Sequence, residues 1–235
     1  MRRYFDTSDI LCVDLKKFDL FKDLKEQELD EIERKITLTK LKKASIVYRE
    51  GQNIGGIYIV INGILKVYKT GYDGKEQIIR FAKAGDPIGF RSIVNEEPAC
   101  TTAEPLTEST LCYIPGECVL SLFRNNPDFA MTLMKITCKE LGESNMFLLD
   151  LAQRSVRERL AKVLLMLMDT FDLDEEKRLR IALTREDLAN MVGTATESVI
   201  RLLSEFRADK LIEIQGRYIK LMNVAQLIKI SNIRI

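Results

Sequence analysis

TREDLANMVGTATESVIRLLSEFRADKLIEIQGRYIKL, residues 184–221, decides the reading of this chain. It divides into helix, turn, helix and hairpin. Thr184–Asp187 and Thr194–Glu197 each place a hydroxyl three residues before an acid, the pattern that caps a helix N-terminus. Leu188, Ala189, Met191 and Val192 supply one apolar side of the first helix, and Gly193 supplies the turn. In the second helix Val199, Leu202, Leu203 and Phe206 fall on one stripe. Thr196, Glu197, Ile200 and Arg201 fall on the opposite edge. Ile212–Ile214 and Tyr218–Leu221 alternate with period two around Gln215-Gly216-Arg217, which predicts a hairpin behind the helices.

This order predicts a winged helix-turn-helix. An exposed edge carrying an acceptor and a planar donor is what reading a DNA major groove requires. Arg201 can donate to O6 and N7 of guanine, and Glu197 can accept from N4 of cytosine. Thr196 and Ile200 complete the base-reading set. Thr184, Arg185, Ser198, Lys210 and Arg217 are the candidate phosphate contacts, which position without reading sequence. A blander reading makes Glu197 and Arg201 an ordinary surface pair at i,i+4 spacing.

A single such module binds weakly against competing DNA, so a paired reader is expected. The segment upstream offers a pairing device. Asn126 is placed to cap a helix that opens on Pro127. Met131, Met134, Cys138, Leu141, Asn145, Leu148 and Ala152 then recur at alternating steps of three and four, a heptad seam. Leu133, Ile136 and Phe147 lie off that seam and are expected to pack on the chain's own core. One broad core-facing stripe is the alternative, and Asn145 favours the dimer seam because a lone Asn fixes register there.

Residues 18–36 show helical spacing at Leu24, Leu29, Ile32 and Ile36. From Leu38 to Pro115 short β-branched and aromatic runs alternate with turn signals, which predicts an all-β barrel or sandwich. Asn62-Gly63 and Asp73-Gly74 are read as hairpin turns. Val156–Phe171 reads as a further amphipathic helix, followed by a charged loop. The expected domains are a sensor barrel with N-terminal helices at 1–125, a dimerisation helix at 126–152 and a DNA-binding domain at 153–235.

Composition excludes much else. The formal net charge is +1, so any nucleic-acid site is local. The chain has no histidine, which removes His-ligated haem, zinc-protease motifs, Ser–His–Asp triads and the metal centres of cupin-type barrel enzymes. The five cysteines, Cys12, Cys100, Cys112, Cys118 and Cys138, contain no CxxC pair, so neither a disulfide framework nor a zinc site is expected. The N-terminus lacks a signal-peptide core, and Val163–Met168 is too short an apolar run to span a bilayer. A cytoplasmic, non-enzymatic protein without membrane contact is expected.

Barrel, long helix and winged helix, in that order, resemble the CRP/FNR family of bacterial transcription regulators. The marks are REGQNIGGIYIVINGILKVYK, GKEQIIRFAKAGDPIG, NNPDF and TREDLANMVGTATESVIRLLSEF. The resemblance implies an α+β fold: an N-terminal cyclic-nucleotide-binding-like jelly-roll β-barrel, a long dimerisation helix and a C-terminal winged helix-turn-helix. It implies a homodimer on a palindromic double-stranded operator, acting with RNA polymerase, and Glu197 with Arg201 matches the family's TGA-type readers.

For the effector, the resemblance points to a pocket of Gly89, Phe90, Arg91, Ser92, Cys100, Thr101, Ser144 and Asn145. Cyclic-AMP-responsive members hold the ribose and phosphate with Gly–Glu and Arg–Ser pairs. Here Phe90 stands at the Glu position, and Ala99-Cys100-Thr101-Thr102 stands where the Arg–Ser pair is expected. A cyclic phosphate loses its bidentate contact, and cyclic AMP is not the expected ligand. Cys112 matches the barrel ligand of the iron–sulfur members, but Cys12 alone stands where three N-terminal cysteines belong, so no cluster is expected. No metal or cofactor is expected. Two alternatives stay open: a cyclic-nucleotide regulator with a divergent cassette using Arg91, and a ligand-independent regulator whose barrel is a scaffold.

Overall fold

The structure, a computed structural model, describes residues 14–232. Cys12 and the rest of 1–13, with 233–235, lie outside the described residues. Among the described residues the chain forms two compact units, divided between Leu141 and Gly142.

The first unit opens on α1 (Glu26–Glu33) and builds two antiparallel sheets. One has the order β1 (Thr37–Leu41), β7 (Ser109–Pro115), β2 (Gly56–Asn62), β5 (Pro87–Ile88). The other has the order β4 (Glu76–Ala82), β3 (Leu65–Thr70), β6 (Thr102–Pro105). Strand alternation explains how the first sheet serves two cores. Val60 and Leu111 point into a core shared with Leu65, Val67, Ala82 and Ala103 of the second sheet. Ile57, Ile59, Cys112 and Ile114 point the other way, into a core with the helices. That second core takes Leu29 and Ile32 of α1, Phe90 and Ile93 of α2 (Phe90–Asn95), and Val119 and Leu122 of α3 (Gly116–Asn125).

Asp73-Gly74 does turn β3 into β4, with Gly71 N–H bonding Lys75 O at 2.8 Å. Asn62-Gly63 does not make a hairpin. The strands it joins, β2 and β3, lie in different sheets. It is a corner: Gly63 adopts φ 99°, and a Cβ there would sit 2.1 Å from Ser109 Oγ. Two constraints at once demand glycine, so the local signal was right about the turn and silent about the partner.

Helix α4 runs Pro127–Gln153. Asn126 Oδ1 accepts from Phe129 N–H at 3.0 Å, and its amide donates to Glu28 on α1. Phe129 and Leu133 are buried in the helix-facing core and Ile136 packs at its edge. Phe147 is half-buried and lies in the second unit.

The second unit holds the end of α4 with α5 (Val156–Phe171), α6 (Arg185–Val192), α7 (Thr196–Ala208), β8 (Ile212–Gln215), β9 (Tyr218–Leu221) and α8 (Val224–Ser231). Ser155 caps α5 through a reciprocal pairing with Glu158. Just before it, Asp150 is buried and bonds both Arg154, at 2.6 Å, and Lys162 of α5. Arg154 reaches on to the carbonyls of Ser231 and Asn232. The turn from α4 to α5 is therefore pinned by one carboxylate serving two cations. Removing a partner from a buried ionic cluster leaves charge uncompensated, at a cost of roughly 3–5 kcal/mol. Asp150→Ala is expected to lower the unfolding free energy of the second unit, read from urea titration, by an amount in that range. A loss below about 1 kcal/mol, the value of an exposed pair, would show the turn to be held by packing instead.

Candidate DNA-reading interface and barrel site

The helix-turn-helix is built as its caps dictate. Thr184 Oγ1 accepts from Asp187 N–H at 2.9 Å and donates to Asp187 Oδ2 at 2.6 Å. Its hydroxyl thus serves the cap of α6. Gly193 closes α6 in the left-handed region at φ 71°. The sequence expectation for α7 needs correction. Its N-cap is Ala195, with no side-chain cap, and Thr194 does not form the capping box. The reason lies in the turn: Thr194 N–H bonds Ala189 O at 3.2 Å, so its backbone finishes α6 instead of starting α7.

Val199, Leu202, Leu203 and Phe206 are all buried, at 0–4% exposure, and fix the rotation of α7 about its axis. Glu197, Ile200 and Arg201 are exposed as a result, and Thr196 and Ser198 are half-exposed. Arg201 is not paired with Glu197. Its Nη1 donates to Glu205 Oε1 at 2.7 Å, one turn further on. Glu205 Oε2 in turn accepts from Arg157 on α5 at 3.0 Å. Sequence reasoning missed both residues. The i,i+4 spacing of Arg201 and Glu205 was visible; the reach of Arg157 across 48 residues was not.

The wing pairs Ile212 with Leu221 and Gln215 with Tyr218. Leu179 N–H adds a bond to Ile219 O at 2.9 Å, so the loop before α6 lies against it. Arg185 Nη2 donates to Gly216 O at the wing's tip, at 3.0 Å. Its Nη1 is buried with no hydrogen-bond partner, and burial pulls the guanidinium below its ordinary range. An unpaired buried donor is costly. Lys210 and Arg217 are exposed.

In the first unit Phe90, Arg91, Ser92 and Cys100 line one cleft of about 270 Å³, with Phe123, Leu133, Met134 and Thr137 on the helical side. Thr101 is not on that cleft. Its side chain bonds the buried Tyr48, whose hydroxyl burial pushes up to about 12. Gly89 is the left-handed residue that caps α2 and is not among the residues lining the cleft. Ser144 is half-buried and Asn145 exposed on α4, both in the second unit.

Arg80 was not foreseen. It is in phase with the buried Ala82 and stands opposite the buried Val67, so it faces inward. It donates to Pro87 O at 2.9 Å and pairs with Glu140 on α4 at 3.0 Å. The barrel's cation is therefore satisfied by the chain's own carboxylate and carbonyl. At the cleft wall Phe90 and Cys100 carry no charged group that could hold a phosphate. Cys112 is fully buried among apolar residues, and no group of three or more metal-binding side chains occurs among the described residues.

Among the described residues no helix is long and apolar enough to cross a membrane. Residues 38–126 match the cyclic nucleotide-binding domain family, and residues 158–230 match the Crp-like helix-turn-helix domain family. The chain is 30% identical over 214 residues to the fumarate and nitrate reduction regulatory protein of Vibrio cholerae, covering 89% of this chain and 85% of the relative. It is 28% identical to the anaerobic regulatory protein of Aggregatibacter actinomycetemcomitans, covering 88% and 82%. Among solved structures, a crp/fnr-family regulator from Eubacterium rectale superposes with a TM-score of 0.78 at 19% identity, covering 92% of this chain and 99% of that one. FixK2 of Bradyrhizobium japonicum gives 0.75 at 23%, covering 85% and 99%.

The thiols offer a direct check on the barrel core. Burial pushes the Cys112 thiol up to about 12, whereas Cys138 is exposed and Cys100 half-buried. The thiolate is the reactive form. Iodoacetamide labelling of native protein, mapped by mass, is expected to mark the half-buried Cys100 before the buried Cys112. Raising the pH from about 8 to about 10 leaves Cys112 unlabelled, since both lie below its thiol's value. Early labelling of Cys112 would show that the helix-facing core opens.

Proposed function

Because the chain belongs to the CRP/FNR family of DNA-binding transcription regulators, we propose that it acts as a homodimer reading a two-fold symmetric operator. In this reading Arg201 and Glu197 specify bases, and Thr196 and Ile200 shape the fit beside them. The observation that carries it is the orientation of α7, whose buried stripe leaves Glu197, Ile200 and Arg201 exposed together. Arg185, Ser198, Lys210 and Arg217 meet phosphates. Thr184 serves by capping α6.

Pairing rests on α4. Met131, Met134, Leu141 and Leu148 are 52–62% exposed in the single chain, and Cys138, Asn145 and Ala152 are exposed beside them. Leu133, one step off this row, is buried in the chain's own core. One helix thus serves two surfaces, and covering each exposed large apolar side chain contributes roughly 1.5–3 kcal/mol. The partner of matching pattern is a second copy.

Control is assigned to the first unit. The cleft beside α2 touches Met134 of the seam row, so an occupant of that cleft acts on the pairing helix. An effector shifts the dimer only by as much as its affinity differs between two dimer states. The site of action is the cytoplasm, together with RNA polymerase, and the protein acts by binding and not by catalysis.

Arg201→Ala is expected to cost about 1–3 kcal/mol in operator affinity and to relax preference at one G·C pair. Selection from a random-sequence library followed by titration of single-base variants measures both. A loss uniform across all sequences would make Arg201 a phosphate contact. Leu148→Glu alters an exposed side chain, so it keeps the fold and is expected to yield monomers by sedimentation. A variant that stays dimeric moves the interface off α4.

A further inference from the structure

We infer that Glu205 is a positioning residue for base recognition, holding the Arg201 guanidinium ready for a guanine. The inference rests on the proposed reading that Arg201 contacts that base. An exposed i,i+4 pair alone holds little. This one differs because its carboxylate is itself anchored. Glu205 gives Oε1 to Arg201 at 2.7 Å and Oε2 to Arg157 at 3.0 Å. The other arm of Arg157 bonds Asp209 at 2.7 Å, and its guanidinium lies 4.8 Å from the centroid of the Phe206 ring. Phe206 is fully buried. A line of contacts therefore runs from the core, through α5, to a side chain that is 68% exposed.

The donor count permits both partners at once. A guanidinium carries five N–H groups. Glu205 occupies Nη1, which leaves the Nε and Nη2 edge intact for O6 and N7 of guanine. A free arginine must freeze several torsions on binding; one already held loses less. Glu205 also has an opposing effect, since a carboxylate near the DNA backbone repels phosphate. Removing its charge should weaken base discrimination while leaving or raising affinity for any sequence. Those opposite signs separate positioning from simple electrostatics.

The test uses full-length protein and two duplexes. The first is recovered by selection with the wild type, and the second carries A·T at the G·C pair whose preference depends on Arg201. Glu205→Gln keeps the side chain's size at a site that is 40% exposed. Its affinity ratio between the duplexes is expected to fall about threefold to tenfold, the scale of one side chain's lost freedom. Made on top of Arg201→Ala, the same substitution should leave the ratio unchanged. An unchanged ratio in the single variant overturns the inference, as does an equal fall in the Arg201→Ala background, which marks a merely structural role. If Arg201→Ala alone shifts preference at no base pair, the underlying reading of Arg201 fails, and the inference falls with it.

Discussion

The rotation of α7 about its own axis is the constraint on which the functional surface depends. Val199, Leu202, Leu203 and Phe206 recur at helical spacing and are almost completely buried. Truncating a core aromatic such as Phe206 costs roughly 3–5 kcal/mol, far more than any exposed contact on the opposite edge. Packing therefore decides which residues face out, and Glu197, Ile200 and Arg201 inherit their exposure from it. The recognition edge needs no interaction of its own to exist. It needs one only to be precise, and the Arg157–Glu205–Arg201 line supplies that.

A second ionic group sits where α4 gives way to α5. Asp150, Arg154 and Lys162 bind the last turns of α4 to the second unit, and Arg154 extends the tie to the end of α8. This bears on how a signal could travel. The chain turns between Gln153 and Val156, where α4 ends and α5 begins. The structure fills that turn with a buried carboxylate that two cations share. A charge cluster of this kind resists bending, because opening it exposes unpaired groups in a poorly solvated place. The compact units divide eight residues or more upstream, between Leu141 and Gly142. Gly142 has open space around its α-carbon, and helix-interior glycine is the weaker place in a helix by about 1 kcal/mol.

Local chemistry was legible from the sequence wherever one element determined the outcome. The stripe of α7, the Asn126 cap, the Thr184–Asp187 box and the period of α4 depend on residues within a turn or two. Readings failed where a second element intervened. Thr194 satisfies the capping pattern, yet the end of α6 takes its backbone first. Asn62-Gly63 marks a turn, yet only the sheet order shows that the turn is a corner. Arg80 with Glu140, and Arg157 with Glu205, lie 60 and 48 residues apart. No periodicity links such pairs, because the fold, not the segment, brings them together.

The two ends of the chain differ in how much chemistry they leave open. On α7 the edge carrying Glu197, Ile200 and Arg201 is exposed, with a donor and an acceptor facing solvent. In the barrel the comparable groups already have partners. Arg80 bonds Pro87 and Glu140, Thr101 bonds Tyr48, and Tyr48 stacks at 6.0 Å on Tyr58. A ligand entering between the sheets would have to replace interactions already made in a low-dielectric core, where an abandoned partner is expensive. The cleft beside α2 asks for no such exchange, since Arg91 is exposed there and Ser92 and Cys100 reach its wall. Between the sheets the polar groups are already paired with one another, whereas the wall of the cleft keeps the exposed Arg91 open to solvent.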